Sequence, residues 1–140
     1  MKYFSQEWVD AIKEKMASDE AYKRKTNGWD TKLCSLVLGA PGGVDIFVEW
    51  NIQDGQLVSV NRQEKPAPSD WRKEPFDGKK YVVRSTAPYE AYAKLNRREM
   101  NFMKAIMTGG YKIDGMVKVL PMVGKMTAWT DLQAFIPCEY

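Results

Sequence analysis

Histidine is absent from this chain. With it go the commonest general base, the usual partner of serine and cysteine nucleophiles, and the most frequent transition-metal ligand. Carboxylates, lysine and tyrosine remain able to do chemistry, so the enzyme class is narrowed rather than closed. Cysteine is scarce. Cys34 and Cys138 could form one bridge, but without an export signal they read as reduced thiols of a cytosolic protein. No apolar run approaches the roughly 20 residues of a bilayer-spanning helix. The N-terminus also lacks the basic-then-apolar order of a secretory signal, and a cytoplasmic protein is expected. Charge of one sign is never concentrated: the net charge is +3 with acids and bases interleaved, which argues against a nucleic-acid partner. Gly42-Gly43 and Gly109-Gly110 match no phosphate-binding loop, and no cluster of metal-ligating residues stands out, so no cofactor is expected.

What is present suits one domain spanning residues 1–140, with 44% hydrophobic and 28% charged residues, far from the signature of disorder. Ser5 can cap a helix over 5–17 whose apolar side is Trp8, Ile12 and Met16. The stretch from Ser18 to Gly28 is polar with no apolar period beyond Tyr22. Leu33 to Leu38 reads as a strand, and Ile46, Val48, Trp50 and Ile52 alternate with Phe47, Glu49, Asn51 and Gln53 as a half-buried one. Asp54-Gly55 marks a hairpin turn into a third strand over Leu57 to Val60. Charged residues and Pro66, Pro68 and Pro75 make 63–78 a surface excursion. Tyr81 to Thr86 is a further strand, and Pro88 opens a helix with Tyr89, Tyr92, Ala93 and Leu95 on its apolar side. Met100, Met103, Ile106 and Met107 form a helical stripe that Gly109-Gly110 ends. Tyr111 to Asp114 is a short strand. A last helix carries Met116, Val119, Leu120, Val123, Met126 and Trp129, bent or delayed by Pro121 and Gly124. This order is an α+β arrangement with helices covering a mostly antiparallel sheet.

In that order the residues resemble the sterol carrier protein type-two family, the sterol-binding or nonspecific lipid-transfer domain. Phe4-Ser5-Gln6-Glu7-Trp8 before an amphipathic helix is similar to the family's opening, the meander with Asp54-Gly55 to its first hairpins, and Val82-Val83-Arg84-Ser85-Thr86 to its fourth strand. Ala105 to Gly115 (AIMTGGYKIDG) resembles its helix, glycine-ended turn, short strand and glycine before the last helix. The loop from Gln63 to Lys80 is longer and more proline-rich than the family's crossing, and Met116 stands where an acidic or polar residue often follows the glycine. The resemblance implies a five-stranded sheet with helices on one side and, between them, an apolar tunnel for fatty acids, fatty acyl-CoA, sterols, isoprenoids or other lipids.

Six of the eight methionines lie between residues 100 and 126, and methionine is favoured where a surface must accept varied apolar partners. With the resemblance, the expected tunnel is lined by Met103, Ile106, Met107, Met116, Val119, Leu120, Val123 and Met126, with Tyr89, Tyr92, Tyr111, Trp50 and Trp129 as candidate large rings at its mouth. The same stripe at helical spacing also fits ordinary core. Lys94, Arg97, Arg98 and Lys104 are candidates to meet an anionic headgroup, or else a solvated helix face. Cys34 is the one nucleophile worth naming, and it sits in an apolar strand with no histidine to activate it. The expectation is therefore a non-catalytic carrier of a lipid or acyl-CoA with transient membrane or enzyme contact during transfer. Two alternatives stand: an accessory or scaffold domain that presents a hydrophobic surface to a partner in lipid or quinone metabolism, and an enzyme acting on an acyl-CoA through carboxylates or tyrosine.

Overall fold

The computed structural model describes residues 1–108 and 110–140; Gly109, placed by the sequence in the turn after the methionine stripe, lies outside the described residues. Helix α1 (Gln6–Ser18) starts where Ser5 Oγ accepts the Trp8 N–H at 3.2 Å, and it buries Trp8, Val9, Ile12 and Met16. Fully burying side chains of this size contributes about 1.5–3 kcal/mol each. The polar stretch that follows is also helical. Asp19 caps α2 (Glu20–Thr26), accepting the Tyr22 N–H at 3.0 Å. The apolar period is missing because only Tyr22 and Thr26 face inward. Tyr22 donates to Gly55 O at 2.7 Å, which ties α2 to the hairpin turn, while Thr26 donates back within the helix to Tyr22 O at 2.8 Å.

The sheet is formed by β1 (Thr31–Ala40), β2 (Val44–Gln53), β3 (Gln56–Pro66), β4 (Val83–Pro88) and β5 (Lys112–Asp114), in the order β3-β2-β1-β4-β5. β1 and β4 run parallel and the other pairs antiparallel. β3 is longer than its apolar residues suggest, because β2 pairs with it all the way to Pro66. Register sorts the two faces. Leu33 opposes Trp50, Ser35 opposes Val48 and Val37 opposes Ile46 on the face under the helices. Cys34 opposes Glu49 and Leu36 opposes Phe47 on the other.

Helix α3 (Tyr89–Asn96) follows Pro88 as expected, and α4 (Phe102–Thr108), α5 (Met116–Val119), a 3-10 turn (Leu120–Met122) and α6 (Val123–Ala134) complete the helical layer. The break between α5 and α6 falls at Pro121, which cannot donate to a preceding turn. The 67–82 segment crosses the face the helices leave open, through a 3-10 turn at Asp70–Lys73 that buries Trp71. It is anchored by Asp45, which is wholly buried and accepts from Arg72 Nε and Nη2 at 2.8 Å each, from Ser69 N at 2.9 Å, from Ser69 Oγ at 2.7 Å and from Gly39 N at 3.0 Å.

Candidate functional site

Between sheet and helices lies an aliphatic core threaded by a chain of tryptophan rings. Trp8 meets Trp50 at a ring separation of 6.5 Å, Trp50 meets Trp129 at 5.1 Å and Trp29 meets Trp129 at 6.5 Å, all edge to face. Such pairs each add about 0.5–1.5 kcal/mol beyond the area they bury. The alternation of β2 puts Trp50 on this face, and the 3.6-residue period of α6 puts Ala128, Trp129 and Leu132 over it.

A line of polar groups crosses this interior. Trp50 Nε1 donates to Ser35 Oγ at 3.1 Å, Ser85 Oγ stands 3.4 Å from Ser35 Oγ, and Ser85 Oγ and the Tyr92 hydroxyl share a hydrogen bond of 2.8 Å. The Tyr111 ring lies edge to face against Tyr92 at 5.4 Å. Burial pushes the Tyr92 phenol well above its ordinary value and the Tyr111 phenol up to about 12. Both stay neutral near pH 7 and act as hydrogen-bonding groups rather than bases. Among the described residues the buried indole N–H groups of Trp8, Trp29 and Trp129 have no partner. Serines 35 and 85 carried no signal in the sequence, because a lone serine in a strand is indistinguishable from a solvent-facing one until register is known.

The residues expected to line a tunnel divide into three groups. Trp50 and Trp129 are buried in the interior. Val119 and Met126 are half-buried and pack against the core. Met103, Ile106, Met107, Met116, Leu120 and Val123 lie at the surface, with exposures between 39% for Ile106 and 77% for Met107, and Phe102 and Val117 join them. α4 buries only Ala105 and α5 buries nothing. The stripes thus face outward in this structure. The physical reason is length: helices of 7 and 4 residues hold few side chains against a sheet that α1, α3 and α6 already cover. Tyr89, Tyr92 and Tyr111 are buried.

The candidate headgroup cations are partly committed elsewhere. Arg97 pairs with Glu90 and Glu99, and Arg98 pairs with Asp131. Lys104 is exposed at the start of α4. Cys34 and Cys138 are free thiols, and burial pushes the Cys34 thiol up to about 12, against the thiolate that a nucleophile needs. Among the described residues no group of three or more His, Cys, Asp or Glu side chains gathers as a metal site. No described helix is long and apolar enough to cross a membrane.

No protein-family profile matches the chain, and no curated protein matches it in sequence. Solved structures do. A crystal structure of sterol carrier protein 2 superposes with a TM-score of 0.75 at 15% identity, over 97% of this chain and 100% of that one. The chain has the sterol carrier protein 2 fold. A conserved hypothetical protein of Thermus thermophilus, offered as a candidate sterol carrier protein, shares it with a TM-score of 0.73 at 14% identity, over 99% of this chain and 92% of that one. The sterol carrier fold is also found within a larger protein: a sec-alkyl sulfatase variant matches with a TM-score of 0.51 at 17% identity, over 92% of this chain but 16% of the sulfatase. In the present chain the fold sets a polar line across a core with a chain of tryptophans, and leaves apolar side chains of the short helices α4 and α5 exposed.

Proposed function

We propose that the protein is a non-catalytic domain that binds and carries a lipid-like apolar ligand, a fatty acid, fatty acyl-CoA, sterol or isoprenoid. The observation that carries this reading is the run of exposed apolar side chains between Phe102 and Val123 that alternates with Val119, Met122 and Met126, which are half-buried against the core. In this reading Met103, Ile106 and Met107 of α4, Met116 of α5, Leu120 of the 3-10 turn and Val123 at the start of α6 turn onto the ligand as the 102–123 stretch closes. Val119, Met126, Trp50 and Trp129 form the deeper wall of the tunnel, and the Ser35, Ser85 and Tyr92 hydroxyls meet a polar end group. About ten buried methylenes at roughly 0.8 kcal/mol each offset an association cost of order 4–15 kcal/mol. Apolar contact discriminates weakly by chain length, so a broad lipid class is expected.

Release at a membrane or a partner enzyme suits the same surface. Between residues 101 and 126 the only acid is Asp114, which pairs with Arg84. Lys112 also reaches Asp114, at 3.8 Å; Lys104, Lys118 and Lys125 stand in sequence among exposed apolar residues, a combination that favours anionic lipid surfaces. Titration with a fluorescent fatty acid tests the carrier reading: saturable binding supports it, and no signal from protein with native circular dichroism overturns it. An accessory domain that covers the same apolar sides with a partner protein is the second reading. Native mass spectrometry separates the two, because a carrier retains co-purified lipid and an accessory domain does not.

A further inference from the structure

The face of the sheet opposite the helices holds a partly open cleft of its own. Leu36, Phe47, Glu49 and Arg84 form its floor, and the 67–82 segment, pinned by the Asp45–Arg72 pair, walls it on one side with Trp71 and Tyr81 to leave a partly open cavity of about 390 Å³. That volume lies within the usual range for small-molecule sites. Two rings stand around Phe47. Trp71 lies 5.6 Å away and is tilted by 31°, while Tyr81 lies 6.4 Å away at 73°, so that Phe47 and Tyr81 make a corner. The Tyr81 hydroxyl donates to Glu49 Oε2 at 2.7 Å, which fixes the carboxylate beside the rings.

The charge of the lining points to one class of guest. Glu49, Glu74 and Asp77 face two cations, Lys80 and Arg84. Arg84 is already committed, with Nε and Nη2 on Asp114 Oδ2 at 3.1 and 3.0 Å and Nη1 on Glu74 O at 2.8 Å. Lys80 is held more loosely. Its ammonium stands 4.0 Å from Glu49 Oε2 and 5.4 Å from the Tyr81 ring centre, and its side chain is 63% exposed. The chain's own ammonium therefore rests where carboxylate and ring face attract a cation together, and little holds it there.

We propose that this cavity is a binding site for a small organic cation, an alkylammonium whose nitrogen takes the place of the Lys80 ammonium between Glu49 and the Tyr81 ring and whose alkyl groups lie on Phe47 and Trp71. The site lies on the opposite face of the sheet from the lipid site and does not depend on it.

Calorimetric titration of the whole protein at low salt, with n-butylammonium, tetramethylammonium and, as the anionic counterpart, n-butyrate, tests the assignment. Saturable binding of at least one cation and none of butyrate is expected. Preference for n-butylammonium would mark hydrogen bonding to Glu49, and preference for tetramethylammonium would mark the ring faces as the main contact. Lys80→Ala removes the resident competitor and tightens binding several-fold. Glu49→Gln weakens it tenfold or more, while binding of a fluorescent fatty acid is unchanged. Phe47→Leu, which keeps an apolar floor and removes a ring, weakens the cation as well and stands in should Glu49→Gln fail to fold. The proposal is overturned if neither the parent nor Lys80→Ala binds a cation, if butyrate binds equally, or if the folded Glu49 and Phe47 variants bind as the parent does.

Discussion

Replacing Asp45 by Asn tests how the 67–82 segment is held to the sheet. The carboxylate is fully buried, accepts five hydrogen bonds and neutralises a guanidinium that is itself only partly covered, with 35% of the Arg72 side chain exposed. The amide keeps the shape but loses the charge and turns one acceptor into a donor facing other donors. Removing one partner of a buried pair costs about 3–5 kcal/mol. Solvent screening of Arg72 sets the expectation at the lower end, about 3 kcal/mol. For a chain of this length that is a fall in Tm of roughly 10 °C. The hydrogen bonds to Arg72, opposed by burial and supported by Gly39 and Ser69, hold the Asp45 carboxyl well below the usual carboxylate range. Because the folded-state value lies below the unfolded one of about 3.9, this stability is fully present above about pH 5 and is lost as pH falls toward the folded value. Thermal melts of the parent and of Asp45→Asn at pH 7 and pH 3 should therefore converge on acidification. A variant within about 1 kcal/mol of the parent at pH 7, or a gap that widens at pH 3, would refute this account of the anchor.

Other substitutions separate surface from core. Met126→Trp should weaken fatty-acid binding with an unchanged or raised Tm if this side chain walls a tunnel, whereas overpacking a filled core lowers stability by about 1–3 kcal/mol; Met107 is exposed, so Met107→Phe should leave Tm unchanged and weaken binding, and titration and melting of the same samples decide. Val117→Glu with Leu120→Glu should leave the melt within about 0.5 kcal/mol, since both positions are exposed, and should abolish co-sedimentation with anionic vesicles; retained sedimentation would remove these helices from the membrane contact. Gly55→Ala should cost about 1 kcal/mol or more by chemical denaturation, because Gly55 has φ +71° and an added Cβ would run into Thr26. At pH 8 a thiol reagent should modify Cys138 and spare Cys34 in the native protein, since burial pushes the Cys34 thiol up to about 12; rapid double labelling would contradict that burial.

Much of the fold was legible because the informative signals are local. The Ser5 cap, the alternation of Ile46, Val48, Trp50 and Ile52, the Asp54-Gly55 turn and the break at Pro121 all act within a few residues of chain. α2 escaped notice because two inward side chains make no detectable period; its cap and its bonds to Gly55 stabilise it instead. The apolar stripes of α4 and α5 were legible as stripes, but periodicity gives a direction around a helix axis, not what lies on that side. Only the tertiary arrangement turned them outward, since α1, α3 and α6 had already covered the sheet. Likewise Ser35, Ser85 and Tyr92 become one polar line, and Asp45 and Arg72 one buried pair, through strand register and a loop that crosses 27 residues of sequence. Composition and local pattern determined which elements form and which kinds of chemistry the chain lacks. Which face each element shows to its neighbours, and hence where a ligand finds apolar surface or a matching charge, was decided by packing, because burial is a property of the whole layer and of no single segment.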